Sequence, residues 1–322
     1  MSLRLMAVHA HPDDESSKGG ATCARYAAED VDVLVVTCTG GERGDVLNPQ
    51  FAGPVPHGLA ETAALRRREM AAAAAALGVR QRWLGFVDSG LPEGDPLPPL
   101  PPGSFATVPL EQATAALVAV VREFRPHVMT TYDPSGGYPH PDHVRTHEVG
   151  VAAYQAAGDP DRFPQAGEPW QVPKLYYDVS FSADRIRALD QAMTDAGLVS
   201  PYAGWLDRHR QRHSGPEPSP TARIDVAGYF GARDDALRAH ASQVDPDGFF
   251  FAVPRDLEAR VWPWEEFQLV DAHVPTSVPE DDLFAGIDER TRPERTATPV
   301  EKPTEDDEHT GSRPVTTARR DR

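Results

Sequence analysis

The sequence predicts an α/β fold in which helices cover both faces of a mostly parallel sheet. Two observations support this class. Strand-like and helix-like segments alternate through the first half of the 322-residue chain. Residues 31–39 (VDVLVVTCT) have the density of β-branched side chains that suits a parallel strand buried on both faces. Ligands of such sheets bind beyond the carboxyl ends of the strands, so we expect the chemistry directly after them.

The first two strand–helix units are predicted within the first 80 residues. A short apolar run predicts a strand at 3–8, and a helix follows at 15–29. The β-branched strand at 31–39 comes next. Residues 62–77 are rich in alanine and other strong helix formers, and Gly78 ends this predicted helix.

Two further units complete the first half of the chain. A short third strand is predicted at 82–86. The apolar residues of 110–124 lie on one face of a helix, which stops before Pro126. The fourth strand is predicted at 127–132 (HVMTTY), and a helix is predicted to follow at 141–157.

The pattern weakens after about residue 158, where a strand is predicted at 174–181 and helices at 184–196 and 232–243. We expect this half to complete the sheet and to cover one edge of the site. Residues 288–322 contain mainly Pro, Thr, Arg, Glu and Asp and almost no apolar side chains, which predicts a disordered tail.

Charge and composition exclude several classes of partner. The formal net charge of −17 opposes binding to nucleic-acid phosphates and to anionic membrane surfaces. The first residues predict a strand, and we expect neither a signal peptide nor a transmembrane helix. Two isolated cysteines, Cys23 in a predicted helix and Cys38 in a predicted strand, indicate a reducing, cytoplasmic compartment. The sequence leaves the oligomeric state open.

A first candidate site is the segment HAHPDDES at residues 9–16, where the first strand is predicted to end. It places two imidazoles and three carboxylates within seven residues. Like charges this close repel one another, and a bound dication offsets that cost. Imidazole and carboxylate groups suit Zn²⁺, and Pro12 stiffens the turn so that His11 and Asp14 can face one point. The alternative is a helix cap with an aspartate as N-cap.

A second candidate segment, YPHPDH at residues 138–143, follows the fourth predicted strand. Catalytic zinc commonly takes three protein ligands and keeps one position for water, so His143 would complete a site with His11 and Asp14. A simple helix cap is again the alternative for this segment taken alone. We expect His147, one helical turn after His143, to support or pack against the site without binding the metal, and we expect the same of His9 and His240.

Competing chemistries have weak support in this sequence. It contains neither the GxSxG elbow of serine hydrolases nor the GxxxxGK[ST] phosphate loop. The Gly-rich residues 40–44 follow the second strand and do not match the dinucleotide motif GxGxxG. A non-catalytic sugar-binding module is the alternative from another class, although it has no need for an acid and a base beside an open metal position.

The two motifs, HPDDES after the first strand and HPDH after the fourth, resemble the LmbE-like family of zinc de-N-acetylases and amidases. The segments TGGERGDVLNP, WLGFVDSGLP and REFRPHVMTTYDPSGGYPHPDH extend this resemblance to about residues 1–287. It implies one catalytic domain over these residues, with a Rossmann-like core at 1–175 and a smaller C-terminal α+β portion at 176–287 that covers the site. It also implies one Zn²⁺ per chain, with Fe²⁺ as the alternative metal.

The resemblance implies a role for each residue of the two motifs. By role, these are the zinc ligands His11, Asp14 and His143, the general base Asp13, the active-site tyrosine Tyr138, and the acid or electrostatic stabiliser His140 with its carboxylate partner Asp142. These roles suit amide hydrolysis. Zinc lowers the pKa of a bound water to about 7, and a neighbouring carboxylate can take its proton.

The resemblance also implies four substrate-binding residues. Arg66 and Asp88 match the residues that bind inositol, and Asp45 stands where relatives usually have a glutamate that contacts the sugar. Lys18 stands where the relatives that cleave thiol–sugar conjugates carry lysine and the biosynthetic deacetylases carry a smaller residue.

The reaction implied by this resemblance is hydrolysis of the amide between the cysteinyl carbonyl and glucosaminyl-inositol in mycothiol S-conjugates. The expected partner is therefore a small thiol–sugar conjugate, with no nucleic acid and no membrane. Two alternatives stay open: deacetylation of N-acetylglucosaminyl-inositol, and cleavage of a conjugate within an antibiotic pathway.

Overall fold

The structure, a computed structural model, describes residues 2–202, 204–205 and 219–287. Within these residues, seven strands form one sheet. In chain order they are β1 (Arg4–His9), β2 (Asp32–Thr39), β3 (Arg80–Phe86), β4 (Val128–Thr131), β5 (Lys174–Val179), β6 (Ala222–Asp225) and β7 (Trp264–Ala272).

The helices lie mostly between the strands, as the alternating pattern predicts. Those in the described part of the chain are α1 (Asp14–Ser17), α2 (Gly20–Ala28), α3 (Leu59–Leu77), α4 (Leu110–Phe124), α5 (Pro141–Ala157), α6 (Ala183–Asp195), α7 (Phe230–Ala239) and α8 (Arg255–Val261). The single helix predicted at 15–29 is wrong in one respect, because α1 and α2 are separate. Gly19 lies between them with a φ of 75°, a left-handed conformation that ends the first turn.

The sheet order is β3-β2-β1-β4-β5-β7-β6. The first five strands in this order are parallel, whereas β7 is antiparallel to both of its neighbours, β5 and β6. This architecture confirms the predicted α/β class with a mostly parallel sheet. Residues 1–175 and 176–287 both contribute strands to it, and their division into a core and a covering portion stays a prediction.

Alternate side chains of the central strands point to opposite faces of the sheet, as the period of two requires. On one face, Met6 and Val8 of β1 belong to a buried cluster with α4 and α5. On the other face, Leu5 and Ala7 belong to a buried cluster with α2 and with Phe230 of α7. Helices therefore cover both faces of the sheet. Because the central strands are packed on both faces, they hold the loops that follow them in position.

The sequence pattern does not predict β6, α8 or β7. The strand β7 carries acidic residues on both faces, which hides the apolar alternation that identifies a strand. One of them, Glu266, is buried, and its carboxylate accepts hydrogen bonds from Arg223 and Ser182. These distant partners let an acidic strand enter the sheet interior.

Cys23 lies in α2 and Cys38 in β2, and both thiols are buried and free. Within the described residues, no helix combines the length and apolar character needed to cross a membrane. The tail predicted to be disordered, residues 288–322, lies outside the described part of the chain.

Candidate metal centre

The candidate site lies at the carboxyl ends of β1 and β4, which are neighbouring parallel strands. From this pair the sheet continues to β2 on one side and to β5 on the other. A crevice forms where the strand order reverses in this way, because the connections after the two strands diverge. The loop after β1 supplies His11 and Asp14, and the loop after β4 leads to His143 in the first turn of α5.

The three predicted metal ligands come together. His11, Asp14 and His143 are buried, and each offers one donor atom within 4.8 Å of the other two. Asp14 Oδ2 is central to the group, at 3.5 Å from His11 Nδ1 and 3.3 Å from His143 Nε2. Two imidazoles and one carboxylate in this compact arrangement are a donor set that suits a divalent metal ion.

The hydrogen bond made by Nδ1 of His143 leaves its Nε2 atom available to bind a metal ion. Nδ1 lies 2.9 Å from the carbonyl oxygen of Gly136, to which it donates its proton, so the lone pair is on Nε2. Among the described residues, this buried Nε2 has no hydrogen-bond partner. Gly136 has a φ of 74°, and a Cβ there would lie 2.5 Å from the Cβ of His143. The loop therefore requires glycine in order to close onto the ligand.

A second group of donors, His11, Asp88 and His140, meets the same distance criterion. Two of its residues accept hydrogen bonds from backbone N–H groups. The Nδ1 atom of His140 accepts the backbone N–H of Asp142 at 3.1 Å, and Asp88 accepts two backbone N–H groups. Asp14 Oδ2 likewise accepts the backbone N–H of His11 at 2.9 Å, so what favours the group centred on Asp14 is the buried Nε2 atom of His143, which has no hydrogen-bond partner among the described residues.

Lys18 lies against one of the predicted metal ligands. Its Nζ is 2.6 Å from Asp14 Oδ1, one helical turn further along the chain. Burial alone would raise the pKa of Asp14, but the neighbouring His143 and Lys18 lower it well below its ordinary value. Asp14 is thus held as a carboxylate, which is the form that binds a metal. The predicted contact between Lys18 and substrate stays a prediction.

Asp13, the predicted general base, sits next to the ligand group in a strained backbone conformation. Its φ of 110° is rare for a residue other than glycine, and such strain is found at functional sites. Burial raises the pKa of Asp13, while Arg66, with Nη2 at 3.0 Å from Oδ2, opposes part of that rise. A raised pKa brings a carboxylate closer to the range in which it exchanges protons at neutral pH.

Arg66 is buried and ties two loops together. Its Nη2 donates to the carbonyl of Pro12 at 2.5 Å, and its Nη1 donates to the carbonyl of Gly41 at 3.0 Å. A Cβ at Gly41 would lie 2.2 Å from Nη1, so this position requires glycine. Arg66 thereby joins the loop after β1 to the loop after β2. Its predicted contact with inositol stays a prediction.

Asp88 is also buried, and it shapes the loop after β3. Its carboxylate accepts the backbone N–H groups of Arg43 at 3.0 Å and Gly90 at 2.8 Å, and it lies 3.5 Å from His11 Nε2. Burial raises the pKa of Asp88, but its contact with His11 lowers it below the ordinary range. The side chain of Asp45 is exposed. The substrate contacts predicted for Asp88 and Asp45 stay predictions.

The expected pairing of the Asp142 carboxylate with His140 is corrected by the structure. The carboxylate instead lies 3.3 Å from His11 Nε2 and accepts the backbone N–H of Ser89 at 2.8 Å. Only the backbone N–H of Asp142 reaches His140, which is the N-cap of α5. Asp142 therefore orients His11, a predicted metal ligand. His140 has its pKa lowered to about 3 by burial and by nearby His11 and His143, so its ring is neutral at pH 7.

Two tyrosines flank His143. The ring of Tyr138 lies 4.4 Å from it, centroid to centroid, and is 40% exposed, so its hydroxyl edge can meet a ligand from solvent. The ring of Tyr132 stacks on His143 at 4.6 Å, and its hydroxyl accepts the backbone N–H of Ala10 at 3.0 Å. The sequence indicates Tyr138 through its motif, but gives no sign of the supporting role of Tyr132.

A buried ion pair behind Asp13 is a further feature that the sequence does not predict. The Nε2 atom of His240 lies 2.7 Å from Glu15 Oε1, and both side chains are fully buried. The other carboxylate oxygen of Glu15 accepts the backbone N–H of Asp13 at 2.9 Å. The pair therefore supports the strained turn that presents Asp13. His240, predicted to pack near the site, holds this position through a contact that spans 225 residues.

We expect this pair to give a stability maximum between about pH 4.5 and 6.5. Burial opposes charge on both groups, but their attraction lowers the pKa of Glu15 to about 2 and raises that of His240. The contribution of Glu15 is complete above its unfolded pKa of 4.5 and is lost as the pH falls towards 2. The contribution of His240 is complete below 6.5 and is lost as the pH rises through its raised pKa.

Urea unfolding of the metal-free protein and of the double variant Glu15→Gln/His240→Gln checks this expectation. The difference in unfolding free energy between the two proteins should be largest near about pH 5.5 and smaller at about pH 3 and pH 9. A difference that is constant with pH would mean that the pair does not carry charge in the folded protein.

Comparison with known proteins identifies the family to which this chain belongs. The family model described as PIG-L, GlcNAc-PI de-N-acetylase, matches residues 6–154, a range that contains the complete donor group. A mycothiol S-conjugate amidase from Streptomyces coelicolor is 53% identical over 289 residues, which cover 88% of this chain and 97% of that protein. A 1D-myo-inositol 2-acetamido-2-deoxy-alpha-D-glucopyranoside deacetylase from Geodermatophilus obscurus is 40% identical over 295 residues, covering 89% and 98%.

Solved structures agree on the fold. The N,N'-diacetylchitobiose deacetylase from Pyrococcus horikoshii superposes with a TM-score of 0.53 at 20% identity, over 83% of each chain. At this identity the likeness concerns the fold alone. The two sequence relatives, in contrast, match nearly their whole length at 40% identity or more. The chain therefore belongs to the PIG-L, or LmbE-like, family and is a metal-dependent hydrolase of amide bonds.

Proposed function

We propose that this enzyme hydrolyses the amide between the cysteinyl carbonyl and glucosaminyl-inositol in mycothiol S-conjugates. The products are an N-acetylcysteine S-conjugate and glucosaminyl-inositol. The observation that supports this substrate most directly is the 53% identity with the Streptomyces coelicolor amidase, against 39–41% for the deacetylases. The lysine at position 18, expected in relatives that cleave conjugates, agrees with this choice.

The metal would be held by His11, Asp14 and His143, with Asp142 and the Gly136 carbonyl orienting the two imidazoles. We propose Zn²⁺, with Fe²⁺ as the alternative, because a set of two imidazoles and a carboxylate accepts both. When bound, the metal supplies Lewis acidity and makes water a stronger acid. Metal analysis of anaerobically purified protein distinguishes the two ions.

Asp13 is the proposed general base. It adjoins the ligand Asp14, and its pKa is raised, so it can accept the proton of the attacking water. As the new C–O bond forms and the C–N bond breaks, the leaving nitrogen needs a proton. Asp13 is proposed to return the one it has taken, since His140 is neutral at pH 7.

The exposed Tyr138 and the neutral His140 are the proposed stabilisers of the oxyanion. Because the Nδ1 atom of His140 accepts a backbone N–H, the ring proton is on Nε2. This N–H and the Tyr138 hydroxyl are donors on the side of the site formed by the loop after β4. Fixed donors of this kind stabilise the negative charge that develops on an amide oxygen during hydrolysis.

The direct test uses a bimane conjugate of mycothiol, with release of free amine as the measurement. The metal-loaded protein should release amine, and a His11→Ala control should release none. The kcat/KM for the conjugate should exceed that for N-acetylglucosaminyl-inositol. No release above the control would exclude the proposed reaction.

The second candidate function is deacetylation of N-acetylglucosaminyl-inositol. It is favoured by the relatives named as deacetylases, which match at 39–41% identity over 87–89% of this chain. Both reactions cleave an amide on the same glucosaminyl nitrogen, so the same site residues can serve both. A kcat/KM that is higher for the acetylated sugar would make this function the principal one.

A further inference from the structure

A cavity beside the metal centre is used by none of the steps above. It lies between the ends of β5 and β7 and the helices α1, α6, α7 and α8. Its enclosed volume is about 40 Å³, and the space at its mouth that is open to solvent brings the total to about 670 Å³. The enclosed part has room for a small polar or apolar group, and a larger ligand group would extend into the open mouth.

One wall of this cavity is aromatic. Phe249 lies 5.8 Å from Phe181 and 5.6 Å from Tyr202, measured between ring centroids. Trp264 and Phe250 also line the cavity. Phe249 is 36% exposed although it belongs to this cluster. Aromatic side chains that stay partly open to a cavity offer a surface for an apolar or aromatic ligand group.

A buried carboxyl group without a hydrogen-bond partner, that of Asp178, also lines the cavity. Asp178 is 8% exposed, and neither of its oxygens accepts a hydrogen bond from any described residue. Burying a polar group without a hydrogen bond is costly, by roughly 1–3 kcal/mol in proteins. Because Asp178 lines the cavity, a donor on a bound ligand can reach it.

The carboxylate is at the end of the cavity that adjoins the metal centre. A Cβ at Gly19 would lie 3.3 Å from Asp178 Oδ1, so the main chain at Gly19 passes directly beside it. Gly19 follows Lys18, whose Nζ contacts the metal ligand Asp14 at 2.6 Å. In addition, β5, which carries Asp178, pairs with β4, which leads to His143. The order from the metal centre outwards is therefore carboxylate first, aromatic wall second.

This order matches the acyl half of the proposed substrate. Beyond the scissile carbonyl, an N-acetylcysteine S-conjugate carries first an acetamido N–H and then the group on sulfur. We infer that the cavity binds this half, with Asp178 accepting the acetamido N–H and Phe181, Tyr202 and Phe249 contacting the group on sulfur. The assignment rests on the proposed function, and it gives the enzyme a preference for aromatic and apolar conjugates.

The experiment measures binding of the fluorescent product, N-acetylcysteine S-bimane, by anisotropy, together with kcat/KM for three substrates. These are the S-bimane conjugate, the S-methyl conjugate and N-acetylglucosaminyl-inositol. Phe249→Ala should weaken product binding about tenfold and lower kcat/KM about tenfold for the bimane conjugate only. Trp83→Ala, on the edge strand β3 and outside the cavity, is the matched control and should change neither value.

The variant Asp178→Leu tests whether Asp178 binds the ligand or only supports the fold. It removes a buried unpartnered carboxylate, so the melting temperature should stay the same or rise. Product binding and kcat/KM for both conjugates should nevertheless fall about tenfold or more, while deacetylation changes by less than about twofold. A fall in melting temperature with unchanged binding would overturn the inference, as would equal losses for all three substrates.

Product binding also separates this inference from the proposed function. Binding that depends on Phe249 and Asp178, in a protein that cleaves no conjugate, would support the cavity assignment and refute the proposed reaction. Cleavage of conjugates that both variants leave unchanged would refute the cavity assignment alone.

Discussion

Replacement of His143 by alanine should remove the metal and almost all activity. The substitution deletes the donor whose Nε2 atom is buried and has no hydrogen-bond partner in the described part of the chain. Metal content should fall from about one ion per chain to less than about 0.1, because a catalytic zinc held by two protein ligands is not retained. Activity should fall at least ~10³-fold, since both the Lewis acid and the acidified water are lost. Elemental analysis and kcat/KM are the measurements.

His147→Ala is the matched control. It lies one helical turn from His143, is partly buried, and contacts the carbonyl of Tyr132 at 2.9 Å. It should keep its metal and most of its activity. Metal loss in the control with retention in His143→Ala would place the centre elsewhere and contradict the ligand assignment.

Replacement of Asp13 by asparagine should keep the metal but reduce kcat about 10³–10⁴-fold. Asparagine has the same shape and tolerates positive φ better than most residues, so the strained turn should survive. The variant loses the group that accepts the proton of water and returns it to the leaving amine. The measurement is kcat at saturating substrate, with metal content determined on the same sample.

His140→Gln is the comparison for this second prediction. If His140 stabilises charge without transferring a proton, its replacement should cost about 10²–10³-fold, which is less than the loss for Asp13→Asn. A larger loss for His140→Gln, together with a new acidic limb in the pH profile, would make His140 the acid and restrict Asp13 to the first step.

The position of the proposed metal ligands can be predicted from the sequence because it depends on local features. HPDD and HPDH each come after an apolar strand, and parallel strands deliver the residues at their carboxyl ends to one edge of the sheet. His11, Asp14 and His143 come together for that reason. Of the strand order, this consequence requires that β1 lies next to β4, and the positions of the other strands do not change it.

The contacts that orient these residues cannot be predicted from the sequence. The carboxylate of Asp142 turns towards His11 because the N–H of Ser89, from a loop 53 residues away, holds it there. The pair of Glu15 and His240 spans 225 residues. Local periodicity and motif spacing contain no information on such contacts, because they form only after the sheet has been assembled.

Two glycines with positive φ also have roles that cannot be predicted from the sequence. Gly41 and Gly136 appear in the sequence as parts of turns. The structure gives the reason for glycine at each position. The Arg66 guanidinium closely approaches Gly41, and His143 closely approaches Gly136. The acidic strand β7 and the short strand β6 are missing from the predicted sheet because burial of Glu266 depends on partners in other elements.

Burial of the two cysteines determines how readily their thiols react with electrophiles. Only a thiolate attacks alkylating agents and disulfides. Burial raises the pKa of Cys38 to about 12 and that of Cys23 well above its ordinary value. At pH 7 the Cys38 thiol is therefore held in its protonated form. The two thiols of an enzyme proposed to process adducts between a thiol and an electrophile are thus poor nucleophiles, and we expect them to react slowly with the reagents that create its substrates.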